Sequence, residues 1–505
     1  MLEPPASTDD ASSRPTQSRD LVSTPARCHF AHGRDDSIEE RGSSGGKQSS
    51  DRLITWDVGD PENPKNWTRW RKWGVTLIVS AFAFVSPLSS SISAPALSDI
   101  GEELDIPEGY RLQMVLSIFM LSYAVAPLVL SPCSEMFGRT PIIRFSNLIF
   151  VAFNTACGFS QTEAQLTIFR LLAGFGGSAT QGMGGAMISD CWHSEERGRG
   201  ISIYQLGPLL GPAIGPFVGG FIVDKISWRW CFWVTSIINV CIQILGLFFL
   251  RETYGPRLLA LKARRLRLET GNPHLHTAHE AHYQGFSAHL LNHLTRPWKL
   301  FFTKALLLIL AIHTAFNYGT IYLIISTSPN LWKEHYHFTP SRASLHYLSL
   351  ALGTLLGSQL FGPVSDRSSD TKNEPCPLAR LPLVPFAALL TPLALLLFAL
   401  SAAARVPVPA PDVGVFLFGF GSIVSYLCLQ TYIVEAFGIH AASAAAGASA
   451  VRNLAAVIVP LWGRGLLIGS MGWAKGGALM AGIGGGLGIV AVAAAFWAIR
   501  QVRQV

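Results

Sequence analysis

Charge is what this sequence has least of. Asp, Glu, Lys and Arg make up 14% of its 505 residues, against about 25% in soluble domains. Mean hydropathy is +0.34. A soluble chain of this length would carry charges throughout. Here they are confined to short stretches between long apolar runs, which excludes an ordinary soluble enzyme. Catalytic signatures are missing too: there is no P-loop, no GxSxG and no HExxH. An ATP-driven pump needs a nucleotide-binding domain, and no polar stretch is long enough to hold one. The eight cysteines, Cys28, Cys133, Cys157, Cys191, Cys231, Cys241, Cys376 and Cys428, show no metal-ligand spacing. Most lie in or beside apolar runs, so free thiols are expected rather than a disulfide framework. No cleavable signal is visible, which leaves insertion to the first apolar span. A net charge of +7 could suggest nucleic acid. The basic residues sit in loops beside apolar runs, however, where membrane topology explains them better.

What is present is a succession of apolar runs. A bilayer core about 30 Å thick needs roughly 20 apolar residues per helix. Twelve candidate spans meet this, at 73–96, 111–130, 141–158, 164–189, 201–222, 229–250, 303–325, 343–363, 381–401, 412–432, 443–469 and 476–499. The last two are rich in Ala and Gly and the least hydrophobic. The expected fold class is an all-α membrane protein of two six-helix bundles, 67–250 and 303–505, related by a pseudo-two-fold axis. Residues 1–66 are polar and read as a disordered tail. Between the bundles, 251–302 carries Arg251, Arg257, Lys262, Arg264, Arg265, Arg267, Arg296 and Lys299 against three acids, and six histidines from His274 to His293. The histidine spacing fits no standard ligand pattern, so neither metal nor cofactor is expected.

Arginines fix the expected orientation. Arg139 and Arg144 follow the second span, Arg197 and Arg199 the fourth, and Arg367, Lys372 and Arg380 the eighth. With the tail and linker they belong to one side, so the positive-inside rule places both termini in the cytoplasm. The sequon at Asn66-Trp67-Thr68 then stays unglycosylated. An internal echo supports two homologous halves: Ser131-Pro132-Cys133-Ser134-Glu135 after the second span, Gly362-Pro363-Val364-Ser365-Asp366-Arg367 after the eighth.

Four groups of residues carry candidate function. The first is the gate. Glu135, Gly138 and Arg139 form a tight charged turn that could latch the two halves in one conformation, with Asp190 a partner for Arg139. Asp366 and Arg367 echo the turn, and Glu435 and Arg452 flank the start of the eleventh span. An ordinary charged loop is the bland alternative. The second group is the fifth span, where Gly207, Gly211, Gly215 and Gly219 recur every four residues beside Pro208, Pro212 and Pro216, with Gly220 adjacent. Small residues at this spacing let helix backbones approach and prolines bend them, so a bent helix packed along a central cavity is expected. The third is Arg170, an intramembrane charge and therefore a candidate coupling residue, unless it snorkels from the helix end. The fourth is a set of polar and aromatic residues within spans: Phe119 and Tyr123, Gln205, Asn317 with Tyr318 and Tyr322, and Tyr426 with Gln430. Aromatic walls with a few polar handles suit an amphipathic organic ligand. Core packing is the alternative for each taken singly.

In this order the residues resemble the major facilitator superfamily, and within it the fungal drug:proton antiporters of twelve helices. The likeness covers roughly 54–500. It is carried by Trp56-Asp57 to Asp60-Pro61-Glu62-Asn63-Pro64-Lys65-Asn66-Trp67, by Glu135 to Arg139, by Arg170-Leu171-Leu172-Ala173-Gly174, by Gly211 to Gly220, by Trp228 to Trp233, and by Tyr432 to Arg452 with Ala442-Ser443-Ala444. The resemblance implies alternating access, a central cavity, and export of a small organic molecule against inward proton flow. In that reading Arg170 aids coupling, Glu135 and Arg139 gate, and the fifth span favours exchange over leak. The sequence departs from the family pattern at Ser131, Glu135, Met136, Ser202 and Glu435. The first span holds no acid between Val75 and Leu97, so no proton-carrying carboxylate is named. The expected protein is a monomeric plasma-membrane exporter of a drug, fungicide or secondary metabolite, its partners being that solute, protons and the bilayer. A facilitator or importer of a small solute or polyamine on the same fold is the first rival. A transporter-like sensor is the second.

Overall fold

The computed structural model describes residues 53–57, 59–193, 196–277, 295, 298–299, 301–368, 381–437 and 441–503. Almost all of them are helical; an isolated β-bridge joins Leu53 to His276. The first half comprises α1 (Arg69–Ser91), α2 (Leu97–Glu103), α3 (Tyr110–Phe137), α4 (Arg139–Cys157), α5 (Glu163–Gly177), α6 (Ala179–Cys191), α7 (Arg197–Lys225) and α8 (Arg229–Phe249). A linker helix, α9 (Gly255–Thr270), follows. The second half holds α10 (Ala305–Asn330), α11 (Pro340–Leu345), α12 (Tyr347–Ser368), α13 (Val384–Ala403), α14 (Pro409–Phe437), α15 (Ala441–Arg464) and α16 (Gly472–Arg503).

Nine helical stretches among the described residues are long and apolar enough to cross a membrane. The remaining expected spans are α4, the α5–α6 pair and α12. In α4 the buried Asn154 amide donates to Phe232 O at 2.8 Å and Ser236 Oγ at 2.9 Å and accepts from Ser89 Oγ at 2.8 Å, tying α4 to α8 and α1. In α12, Thr354, Ser358 and Gln359 face the central cavity. The fourth expected span is not one helix: it divides at Ser178 into α5 and α6. Around that break a Cβ on Gly174 would stand 2.5 Å from Phe119 O, and one on Gly176 2.5 Å from Ser146 O. Backbones this close leave no room for side chains.

Polarity is reversed relative to a soluble core. Ser89, Ser91, Asn154 and Arg170 are fully buried, whereas Phe248, Ile489, Leu389 and Trp497 are each more than 60% exposed. A surface of large apolar side chains around a polar interior is what a protein solvated by lipid requires.

The halves meet along two seams. α3 packs on α15, and α7 packs on α11 and α12. Within the first half the tightest pairing is α7 along α1, and within the second α10 along α15.

Two expectations change outside the bilayer. Disorder was expected for the whole of 1–66, but 53–57 and 59–66 are docked on α9. Lys262 Nζ meets Asp60 Oδ2 at 2.6 Å and Asp57 Oδ2 at 3.2 Å, and Arg265 meets Glu62 Oε1 at 2.8 Å. The linker is partly helical because Pro256 occupies the first turn of α9 and Gly271, with φ +67°, ends it. Residues 1–52, four of the six linker histidines (His279, His282, His289 and His293), Lys372 and Arg380 lie outside the described residues, as do the side chains of Asp366 and Arg367.

Candidate substrate cavity

A cavity of about 600 Å³ lies between the halves, lined by α1, α3, α6, α7, α10, α12, α14 and α15. Its wall runs from mid-helix, at Tyr123, Tyr318 and Tyr426, to the end of the bundle that carries the linker, at Ile201, Ser202, Gln359 and Glu435. The opposite end is closed by bonds between the halves. Ser90 Oγ and Tyr322 Oη are 2.8 Å apart, and Ser341 donates to Asp224 Oδ2 at 2.5 Å. Among the described residues, the cavity reaches toward the linker end.

α7 lines the cavity beside α1. Its glycine face is pressed on α1: a Cβ on Gly207 would stand 2.9 Å from Ser80 O, on Gly211 2.9 Å from Pro87 Cβ, and on Gly215 2.6 Å from Leu88 O. Gly219 continues the line against the Ile92 carbonyl. Gly220 faces the other half, where a Cβ would stand 2.9 Å from Pro340 O. Pro208 and Pro212 line the cavity, while Pro216 is buried beyond it. Each proline removes an amide donor, yet α7 runs unbroken from Arg197 to Lys225.

Of the eight expected ligand-facing residues, Tyr123, Gln205, Tyr318, Tyr426 and Gln430 reach the cavity. Three do not. Phe119 turns away, fully buried, with its ring 5.0 Å from the Arg170 guanidinium carbon. Asn317 occupies the far side of α10, 3.3 Å from His313 Nε2. Tyr322, one turn above Tyr318, is part of the closed end. Helical spacing identified shared faces but not the rotation of each helix, which neighbours decide. Gln430 donates to Tyr426 Oη at 2.9 Å, and Tyr123 Oη donates to Ser86 Oγ at 2.6 Å, so these polar handles are held in place.

Arg170 lies outside the cavity, wholly buried in the first half. Its guanidinium donates to Ser89 O at 2.9 Å, Ser90 O at 3.0 Å and Val115 O at 3.2 Å. The first two carbonyls belong to the last turn of α1, which has no intrahelical donors for them. Arg170 is thus a C-terminal cap on α1, positioned where a cation is favoured by the helix dipole, between the rings of Phe119 and Phe232.

The charged turn is organised around Arg139. Gly138 joins α3 to α4 with φ +96°, and a Cβ there would stand 2.5 Å from Glu252 Oε2. Glu252 accepts from the backbone N–H of Arg139 at 3.0 Å and of Thr140 at 3.2 Å, capping α4. Arg139 Nε donates to Asp190 Oδ2 at 2.7 Å and its guanidinium lies 4.9 Å from the Tyr254 ring. Burial, with the Glu135 charge adding, pushes the Tyr254 hydroxyl up to about 12, so the ring stays neutral beneath the cation. The Arg139–Asp190 ion pair ties α4 to α6 within the first half. Glu435 and Arg452 both line the cavity. Arg452 stands at mid-depth, its guanidinium carbon 4.8 Å from the Tyr318 ring and 4.9 Å from that of Tyr426.

Sequence reasoning missed two cross-element ties. Asn453 donates to Tyr123 O at 3.0 Å, joining α15 to α3. His313 is buried in α10 with Ser425 Oγ at 3.5 Å on α14. The His313–Asn317 spacing of one helical turn was a signal for the second; nothing local marks the first.

Residues 79–460 match the family described as Major Facilitator Superfamily. This chain is a major facilitator. It is similar to the efflux pump vrtL of Penicillium aethiopicum, 39% identical over 85% of this chain and 86% of the pump. The MFS-type transporter penM of Penicillium rubens is 34% identical over 83% of this chain and 84% of its own length. The efflux pump radE of Floropilus chiversii is 34% identical over 81% and 77%. Among solved structures, the inward-open xylose transporter XylE from E. coli superposes with a TM-score of 0.61 over 83% of this chain and 95% of XylE, at 13% identity. That likeness concerns the fold alone. This major facilitator is a multi-pass membrane transporter and not an enzyme.

Proposed function

We propose that this major facilitator exports a small amphipathic organic molecule from the cytoplasm across the plasma membrane by alternating access, in exchange for protons, and works as a monomer. The observation that carries the reading is the cavity: aromatic and apolar walls, four glutamine side chains and, among the described residues, closure at the end away from the linker. The arginine-rich loops and linker support a cytoplasmic position for the linker end, which suits loading from inside. The fungal relatives named as efflux pumps support the direction of transport. The fold adds its own argument for exchange: glycines bring α7 against α1 and against α11, which gives the moving half a close-packed pivot on both sides.

Proton coupling is assigned to the first half through Arg170, which holds the end of α1 beside the closed seam. A second titratable group, His313, lies buried in the other half. The test is growth of a pump-deficient yeast expressing the chain, on a panel of toxic amphipathic compounds, with and without a protonophore. Resistance that the protonophore abolishes, with less compound retained in the cells, supports gradient-driven export. Solute that equilibrates without responding to an imposed pH gradient would make the protein a facilitator.

A further inference from the structure

We infer that the cargo is an organic anion, an aromatic or polycyclic acid whose carboxylate, phenolate or enolate seats against Arg452. The inference rests on the export reading above and narrows it to a charge class.

The charges of the cavity carry it. Among the described lining residues only Glu435 and Arg452 are ionised. They sit at different depths. Glu435 is nine residues beyond Tyr426 on α14, roughly 13 Å along a helix rising 1.5 Å per residue, and so belongs to the mouth. Arg452 contacts Tyr426 itself, at the depth where Tyr123 and Tyr318 close round the cavity. A solute that reaches this depth meets one fixed charge, and it is positive.

The setting of Arg452 differs from that of the other buried arginines. Arg170 spends its donors on three backbone carbonyls, and Arg139 has Asp190. Arg452 is flanked by the rings of Tyr318 and Tyr426. Rings attract a cation, and the Tyr426 side chain is also a hydrogen-bond partner of the guanidinium. Its Nε has no hydrogen-bond partner among the described residues. The two rings fix the plane of the guanidinium, and the N–H groups that Tyr426 does not take are left for a ligand. A planar fork of donors held this way matches a carboxylate or an enolate oxygen pair, which it can grip with two parallel bonds. The ring faces beside it accept the aromatic body of the same molecule. Gln205 and Gln430 supply neutral donors and acceptors for hydroxyl and carbonyl substituents. A cationic solute would gain the rings but meet Arg452 as a like charge.

The experiment uses the full chain purified in detergent and two xanthene dyes of similar size, fluorescein as the anion and rhodamine 6G as the cation, with uptake into empty micelles subtracted. The wild type is expected to bind fluorescein the more tightly. In Arg452→Gln the ratio of fluorescein to rhodamine 6G affinity is expected to fall about tenfold or more, as loss of a charge-assisted pair predicts. Arg452→Lys, which keeps the charge but loses the fork, is expected to give a smaller fall and carries the test if the glutamine variant does not fold. A variant that merely loosens the protein weakens both dyes and leaves the ratio alone. An unchanged ratio in the monodisperse variant, a wild type that prefers rhodamine 6G, or a wild type that does not bind fluorescein overturns the assignment. Failure of the export reading looks different: fluorescein bound through Arg452 but not moved out of energised vesicles upholds the anion site and removes the exporter.

Discussion

Ser90 Oγ and Tyr322 Oη lie 2.8 Å apart across the two halves, on the side of the cavity away from the linker. The bond joins α1, whose end is capped by Arg170, to α10, whose Tyr318 flanks Arg452. Together with Ser341–Asp224 it closes that end of the cavity, the closure that the proposed alternating access would have to undo. Tyr322→Phe removes one partner from a buried hydrogen bond, a loss of about 1 kcal/mol and so roughly a fivefold shift toward the state open on that side. Electron–electron distance measurements between spin labels in loops 104–109 and 334–339, with the exposed Cys241 replaced, read that shift directly. An unchanged distance distribution would mean that Ser341–Asp224 alone holds the closure.

The Arg139–Asp190 pair is an internal strut of the first half, with side chains 9% and 22% exposed. Removing one partner of a largely buried pair strands the other. Arg139→Ala and Asp190→Ala are each expected to cost about 2–4 kcal/mol, near the lower end of buried-pair losses, seen as a fall in melting temperature of the detergent-solubilised protein. The swap Arg139→Asp with Asp190→Arg is expected to recover part of it. Full additivity of the two single changes would show that the charges do not interact.

Much of the fold was legible because lipid imposes a length and composition on each span. The broken α5–α6 pair was not, since the glycines around Ser178 look like any small-residue stretch until Phe119 and Ser146 are placed against them. The docking of Asp57, Asp60 and Glu62 on Lys262 and Arg265 escaped notice for a related reason. Polar residues some two hundred positions apart show no shared period, and their attraction appears only when both are folded on one surface. In the site, the α7 glycine face could be read from its four-residue repeat. The exclusion of Phe119 and Asn317 from the cavity could not, because one turn of helix offers two faces and the neighbours choose between them. The two tyrosines flanking Arg452 could not be read either, because they come from α10 and α14.

The docked segment 53–66 gives a prediction with a defined pH sign. The hydrogen bond from Lys262, with that from the Glu62 backbone, holds the Asp60 carboxyl below its ordinary range. A lowered carboxyl favours the folded form above its unfolded value near 3.8 and loses that contribution as pH falls through the folded value. The same contact holds the Lys262 ammonium above its usual range, so its contribution is full below about 10.4 and lost only at strongly alkaline pH. Docking is therefore expected to be constant from pH 5 to 9, on the order of those limits. Asp60→Asn is expected to loosen it at neutral pH, and trypsin then cuts faster after Lys65. Equal cleavage rates in wild type and variant would show that the ion pair does not hold the segment.

Gly215→Leu places a branched side chain where even a Cβ would stand 2.6 Å from Leu88 O. The backbone cannot yield without parting α7 from α1. Overpacking costs about 1–3 kcal/mol in ordinary cores, and here it also displaces the pivot of the moving half. Transport is expected to be blocked while the protein still reaches the membrane. Gly185→Leu, with open space around the added carbon, serves as the control. Unchanged transport in Gly215→Leu would show that this face of α7 is not held against α1 during the cycle.

Arg170→Ala is expected to abolish active efflux without preventing membrane insertion. The substitution leaves the carbonyls of Ser89, Ser90 and Val115 without their donor, at about 1–3 kcal/mol for each buried group left unpaired. Part of that loss is structural, so the melting temperature should fall as well. Arg170→Lys separates the two roles. Its ammonium keeps a cation at the end of α1, where the helix dipole favours one, but cannot span carbonyls from two helices as a planar fork does. The lysine variant should regain most of the thermal stability and little of the protonophore-sensitive efflux. If it regains both together, Arg170 serves the fold alone and the proton must be carried elsewhere, with His313 the next residue to change.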